Sequence, residues 1–210
     1  MIRSILHIVF LASPLLGLSF YGDGFTRGIV FEVVTDGESF VVEEGSRFWI
    51  EGTTTVNSFT CEAPYVAGFG TVEAVEGETE VEAVVAVPVR AFDCGVRQMN
   101  RDLYDVLRGK EHPGIRFALD GAEALGLPDA DGWAELRAWG TLTLAGTERA
   151  VTVMAQGRRF DDGRAELRGT HALRMTDFDI DPPRGPLGLI RAHNDITVRF
   201  DLVASATDSN

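Results

Sequence analysis

The feature that most restricts this chain is a period of two. In "TEVEAVVAVPV", residues 79 to 89, Val81, Ala83, Val85, Val87 and Val89 fall on one side and Glu80 and Glu82 on the other. Successive side chains of a strand point to opposite faces, whereas a helix of 3.6 residues per turn would scatter the same residues around its axis. One apolar and one wet face marks an antiparallel sheet. The period returns in Ile115, Phe117 and Leu119, in Val151, Val153 and Ala155, and in Ile196, Val198, Phe200 and Leu202. With further runs near residues 46–60, 65–76, 133–144 and 164–175, broken by glycine and acidic turns, the chain offers about eight strands.

One segment breaks the period. "MNRDLYDVLRGKEHPG", from Met99, has Asn100 as an N-cap, Met99 and Tyr104 placed as a hydrophobic staple, Leu103 and Leu107 on one face, and Gly109 as terminator before Pro113. A short amphipathic helix is predicted near residues 100–109. Upstream, "GIVFEVVTDGESFVV" holds an Asp36-Gly37 turn between apolar runs and reads as a hairpin outside the main sheet or at its edge.

Strands of this kind make a sandwich or a barrel. A closed eight-stranded barrel has no edges and leaves room for side chains or one small ligand. The inward faces mix Phe117 and Phe200 with small residues such as Ala83, Ala155, Gly140 and Gly169, a composition compatible with either a filled or a hollow interior.

At 210 residues and 45% hydrophobic, the chain suits one domain with a substantial core. Arg3 and the apolar run from Ile5 to Leu18, followed by Ser19, read as a secretory signal over residues 1–19, with an uncleaved anchor as the alternative. Residues 20–39 form an extension with room for one extra strand, and residues 40–206 the barrel domain. An exported chain with only Cys61 and Cys94 favours a disulfide between them over two buried free thiols. A periplasmic or secreted location follows, with no stable membrane insertion after cleavage. The net charge of −13, with Lys110 as the one lysine, repels phosphates and anionic headgroups and argues against nucleic acid as a partner.

"MTDFDIDPP", residues 175–183, sets Asp177, Asp179 and Asp181 on alternate positions, as a calcium loop of the EF-hand type begins. Such a loop needs glycine sixth and a bidentate glutamate twelfth. Pro182 and Gly188 stand there instead, so no metal site is expected.

Four pieces in order carry a family resemblance. "FWIEGTTTVNSFTC", then "VPVRAFDCGVRQMNRDLYDVLRGKEHPGIRFAL", then "GTLTLAGTERAVTV", then "RMTDFDIDPPRGPLGLIRAHNDITVRFDL" together resemble the YceI-like family over about residues 40 to 204. The resemblance implies an all-β fold, an extended lipocalin-like barrel of eight antiparallel strands with a helix over one opening. It also implies export and an isoprenoid chain held inside. Under it, Met175 and Phe178 become anchors, Pro182 and Pro183 stiffen a loop, and the aspartates of "MTDFDIDPP" are solvated turn residues.

Chemistry offers little else. His112 precedes Pro113 in a turn, His193 opens the last strand, and His171 shares the parity of Leu167, Leu173 and Met175, as an inward core histidine would. No HExxH, GxSxG or nucleophile with an adjacent base is present, so no catalytic residue is assigned and no enzyme activity is expected. Binding an apolar chain needs only a water-poor slot. The residues expected to line it are Phe48 and Ile50; Val85 and Val87; Ile115, Phe117 and Leu119; Leu142; Val151 and Val153; His171 and Leu173; and Ile196, Val198 and Phe200. The expected partner is an apolar small molecule, an isoprenoid or fatty-acid-like lipid, with no required cofactor. The oligomeric state stays open, a homodimer among the choices. A structural or partner-binding module with a filled or vestigial cavity is the competing reading.

Overall fold

The computed structural model describes residues 38–75, 78–185 and 189–207. The expected signal segment, most of the 20–39 extension and the Asp36-Gly37 turn lie outside them. The strands are β1 (Glu38–Val42), β2 (Arg47–Thr54), β3 (Ser58–Ala63), β4 (Ala67–Val75), β5 (Glu78–Pro88), β6 (Gly114–Ala124), β7 (Ala134–Leu144), β8 (Thr147–Arg159), β9 (Arg164–Arg174) and β10 (Ala192–Thr207), and helix α1 spans Arg97–Val106.

Hydrogen bonding runs β1-β4-β5-β6-β7-β8-β9-β10 and returns from β10 to β1, closing an eight-stranded antiparallel barrel. Strand β10 is long enough to serve two partners: Val42 to Ser39 of β1 pair with Ala204 to Thr207, and β2 pairs along Ala192 to Asp201. Strands β1 and β2 therefore share one place in the wall. Between them the chain kinks at Gly45, whose φ of 92° suits glycine. Ser46 is buried there, its hydroxyl donating to the Val203 carbonyl and accepting from the Val203 N–H. The segment "ESFVV", expected outside the main sheet or at its edge, is instead β1, paired on both sides.

The run at 46–60 reads as one strand but folds as the β2–β3 hairpin. The Thr54 hydroxyl donates to the Asn57 side chain at 2.7 Å and accepts the Asn57 N–H, a local side-chain turn that outcompetes the ladder. Beyond β2, β3 reaches Asp93 through the Glu62–Asp93 bridge, and Cys61–Cys94 is a disulfide.

Helix α1 starts a turn earlier than predicted, with Val96 as N-cap and no side-chain cap bond. Asn100 is therefore not the cap, nor do Met99 and Tyr104 straddle the helix start as a staple. Asn100 reaches back instead, accepting the Cys94 N–H at 2.7 Å and donating to the Asp93 carboxylate at 2.9 Å. The helix ends in a Schellman motif, Gly109 N–H to Tyr104 carbonyl and Arg108 N–H to Asp105 carbonyl, with Arg108 in the left-handed region at φ 50°. Gly109, predicted as the terminator, follows the left-handed residue and serves close approach: a Cβ there would stand 2.8 Å from Val89.

The buried apolar side chains gather at one end of the barrel. Val87, Val89, Phe92, Leu107, Leu144, Met175, Phe178 and Ile180 pack together with Cys61 under α1. Met175 and Phe178 are the anchors the motif implied, while Asp177, Asp179 and Asp181 are exposed. Asp179 also closes its turn, accepting the Thr147 hydroxyl at 3.0 Å.

Candidate functional site

Above this plug the barrel is hollow. A cavity of about 920 Å³ runs along its interior, and all fifteen residues expected from parity line it. Most of them, Val85, Phe117, Leu142, Val153 and Phe200 among them, are only half-buried, because part of each side chain faces the open lumen.

Glycines explain why the large side chains do not fill the space. A Cβ on Gly169 would run into the Phe200 ring, one on Gly157 would meet the Leu136 side chain at 2.7 Å, and one on Gly52 would run into the Phe59 ring. Each large group lies flat on a glycine of the neighbouring strand, against the wall instead of across the lumen. Ala83, Ala138 and Ala155 thin the wall further.

Sequence reasoning missed two parts of the lining. Val96, Met99, Leu103 and Val106 of the α1 region line the cavity, as do Gly185 and Ile190. The helical spacing of the α1 residues signalled a core face and the resemblance implied a helix over one opening, but neither assigned these side chains to the lining. At the other end stand Phe40, Ala122, Leu136, Arg158 and Glu166. Leu136 shares the parity of Leu142 and was legible; Ala122 was not, because the ladder shifts register between Leu119 and Gly121 and moves even-numbered residues inward.

Polar groups sit mainly at the ends. Arg158 pairs with Glu166 at 2.7 Å and lies over the rings of Trp133 and Phe160, at 4.6 and 4.8 Å. Near α1, Gln98 donates to Asp102 at 2.7 Å. His171 faces the lumen from β9, and burial lowers its pKa below the ordinary value. The other two described histidines lie apart from it: His193 bonds Thr53 at 2.7 Å, and His112 abuts Gly146. Among the described residues no group of three or more His, Cys, Asp or Glu is arranged to hold a metal ion. No helix among them is long and apolar enough to cross a membrane.

The YceI-like domain family matches residues 26–204. The chain belongs to this family. No curated protein sequence matches it. Three solved structures are similar to this YceI-like chain. A polyisoprenoid-binding domain from Saccharophagus degradans has a TM-score of 0.63 at 12% identity, with 80% of this chain and 98% of that one covered. BcnA of Burkholderia cenocepacia gives 0.59 at 16% identity, covering 77% and 98%. The YceI protein of Campylobacter jejuni gives 0.53 at 14%, covering 71% and 85%. At these identities the likeness is one of fold.

Proposed function

We propose that this YceI-like protein is an exported lipid carrier that sequesters an isoprenoid or a similar long apolar molecule in its barrel, without catalysis. The observation that carries the reading is the apolar cavity of about 920 Å³, within the range of small-molecule sites. Each buried methylene contributes about 0.8 kcal/mol, so ten carbons offer roughly 8 kcal/mol before the cost of ordering chain and protein is subtracted. The polyisoprenoid-binding domain from Saccharophagus degradans, similar in fold, supports the ligand class. The Cys61–Cys94 disulfide and the N-terminal apolar run support export to the periplasm or beyond. A structural module with a filled core fits the hollow lumen poorly.

The test is mass spectrometry of an organic extract of protein purified from its native host. A stoichiometric apolar species is expected. An empty protein that also takes up no added isoprenoid would leave the structural module as the better reading.

A further inference from the structure

The barrel wall has a gap that the plug does not fill. Strands β8 and β9 are paired only from Met154–Thr170 to Arg159–Ala165. Strand β8 meanwhile follows β7 from Gly157 to Thr147, and β9 follows β10 from Arg164 to Arg174. Toward the helix end the two strands thus part, each still held by its outer neighbour, and no ladder pair joins residues 147–153 to 171–174. The seam is a cleft lined by Arg149, Ala150, His171, Thr176, Asp177 and Phe178, with Val151 and Leu173 between them. Val151, His171 and Leu173 line both the cleft and the main cavity, so at this seam their side chains alone stand between the lumen and the outer wall.

The gap has a built frame. Beneath it, the Met175–Phe178 turn is fixed by the Thr147–Asp179 bond, by the Thr176 N–H donating to the Asn194 side chain at 3.0 Å, and by Asn194 donating back to the Thr176 hydroxyl at 2.8 Å. Arg149 and Asp177 stand exposed at the lip. At the centre is His171, half-buried and without a hydrogen-bond partner among the described residues. The polar pairs at the two ends of the cavity satisfy each other. His171 does not. Burial favours its neutral form, which offers one N–H donor and one lone pair to the lumen.

We infer that the β8–β9 seam is a polar annex of the cavity, where His171 holds an uncharged oxygen function, a carbonyl or hydroxyl, of an otherwise apolar ligand. This rests on the carrier reading and narrows its ligand class. The hydrocarbon chain lies along the lumen, and the oxygen group turns into the cleft, where the wall has no ladder to break. An unpaired polar group facing an apolar slot discriminates against ligands that cannot bond it, because they leave it desolvated and unmatched. At the lip the charges of Arg149 and Asp177 oppose each other, so the annex offers a carboxylate no net cation, and palmitate tests this.

The experiment uses delipidated mature protein and displacement of a fluorescent apolar probe by hexadecane, hexadecanol, methyl palmitate and palmitate. Wild type should prefer the alcohol and the ester over the hydrocarbon by about tenfold, the worth of one hydrogen bond in such a site. His171→Phe should abolish that preference, and His171→Gln, which keeps a donor and an acceptor, should restore part of it. If wild type takes up all four with equal affinity, or if His171→Phe keeps the preference, the annex is wrong and the carrier reading stands. A marked preference for palmitate overturns the uncharged class. If none of the four is taken up, the carrier reading fails and the annex falls with it. Should His171→Phe not fold, the imidazole nitrogen resonances of wild type decide: they should shift with methyl palmitate and not with hexadecane, and identical spectra would refute the contact.

Discussion

At the scale of single residues, the hollow interior depends on which side chains lie flat. Phe200 rests on Gly169. In Gly169→Ala the ring must swing into the lumen and the Met154 carbonyl, 3.0 Å from the new Cβ, must give slightly, so bound lipid should fall several-fold at a modest cost in stability. Lipid content and thermal midpoint on one preparation check this; unchanged lipid would mean Phe200 does not shape the slot. The fifteen lining residues were legible because a strand's period is fixed at two, so one inward residue sets the rest. Legibility ended at Asp120, beside the register shift, because the bulge reverses parity with no change in the apolar pattern. Glycine's part was also invisible: a Gly169 in the sequence does not say which neighbour lies over it. His171 carries a second expectation. Its folded pKa is lowered by burial, so as pH falls through its ordinary value of 6.5 the unfolded chain takes up a proton first. Stability should therefore decline with falling pH from that value until the folded pKa is passed, and above it the group contributes nothing. Urea midpoints of His171→Phe should fall less than those of wild type between about pH 7 and pH 5, and parallel curves would deny the linkage.

At the scale of elements, the helix end is held by covalent and local polar ties. The disulfide closes a loop of 33 residues between β3 and the segment before α1, which in the chain-entropy model contributes about 3 to 4 kcal/mol. Replacing both Cys61 and Cys94 with serine should lower the unfolding free energy by that order, read from urea denaturation. Asn100 adds a second tie to the same segment, through Cys94 and Asp93. Asn100→Ala should cost about 1 to 2 kcal/mol, more than its exposed neighbour Arg101→Ala, since it leaves the Cys94 N–H without its partner. Arg108→Gly should act oppositely and stabilise by up to about 1 kcal/mol, since arginine at φ 50° carries a strain that glycine lacks. The pattern of "MNRDLYDVLRGK" gave away the existence of α1 and its apolar face. Its start was misread because an asparagine one turn into a helix and an asparagine at its cap look alike in sequence. They differ only in whether the side chain bonds its own helix or the segment before it.

At the scale of the whole molecule, the densest packing lies at one end of the barrel and the open lumen beyond it. The packed plug under α1 holds the large buried side chains, and all six ion pairs among the described residues lie elsewhere, on the outer wall or toward the far end. Most of those pairs are solvent-exposed and contribute little individually. The lumen meets this plug along shared lining residues such as Val87, Leu144 and Met175 and is open beyond them. That arrangement makes one substitution informative. Val85 faces the lumen between Gly68 and Phe117, above the plug. In a filled core, Val85→Trp would overpack and destabilise by about 1 to 3 kcal/mol. In a hollow barrel the indole enters space otherwise taken by ligand, the wall stays apolar, and delipidated protein should unfold within about 1 kcal/mol of wild type. Lipid uptake should fall at least tenfold. Phe117→Arg, one strand away, sets the contrast: an unpaired charge in the same slot should abolish uptake and destabilise as well. Measuring thermal unfolding and bound lipid together on the three proteins separates the outcomes. If Val85→Trp is strongly destabilised and wild type carries no lipid, the lumen closes in solution and the carrier reading fails. If Val85→Trp folds normally yet keeps full uptake, the ligand lies elsewhere in the barrel.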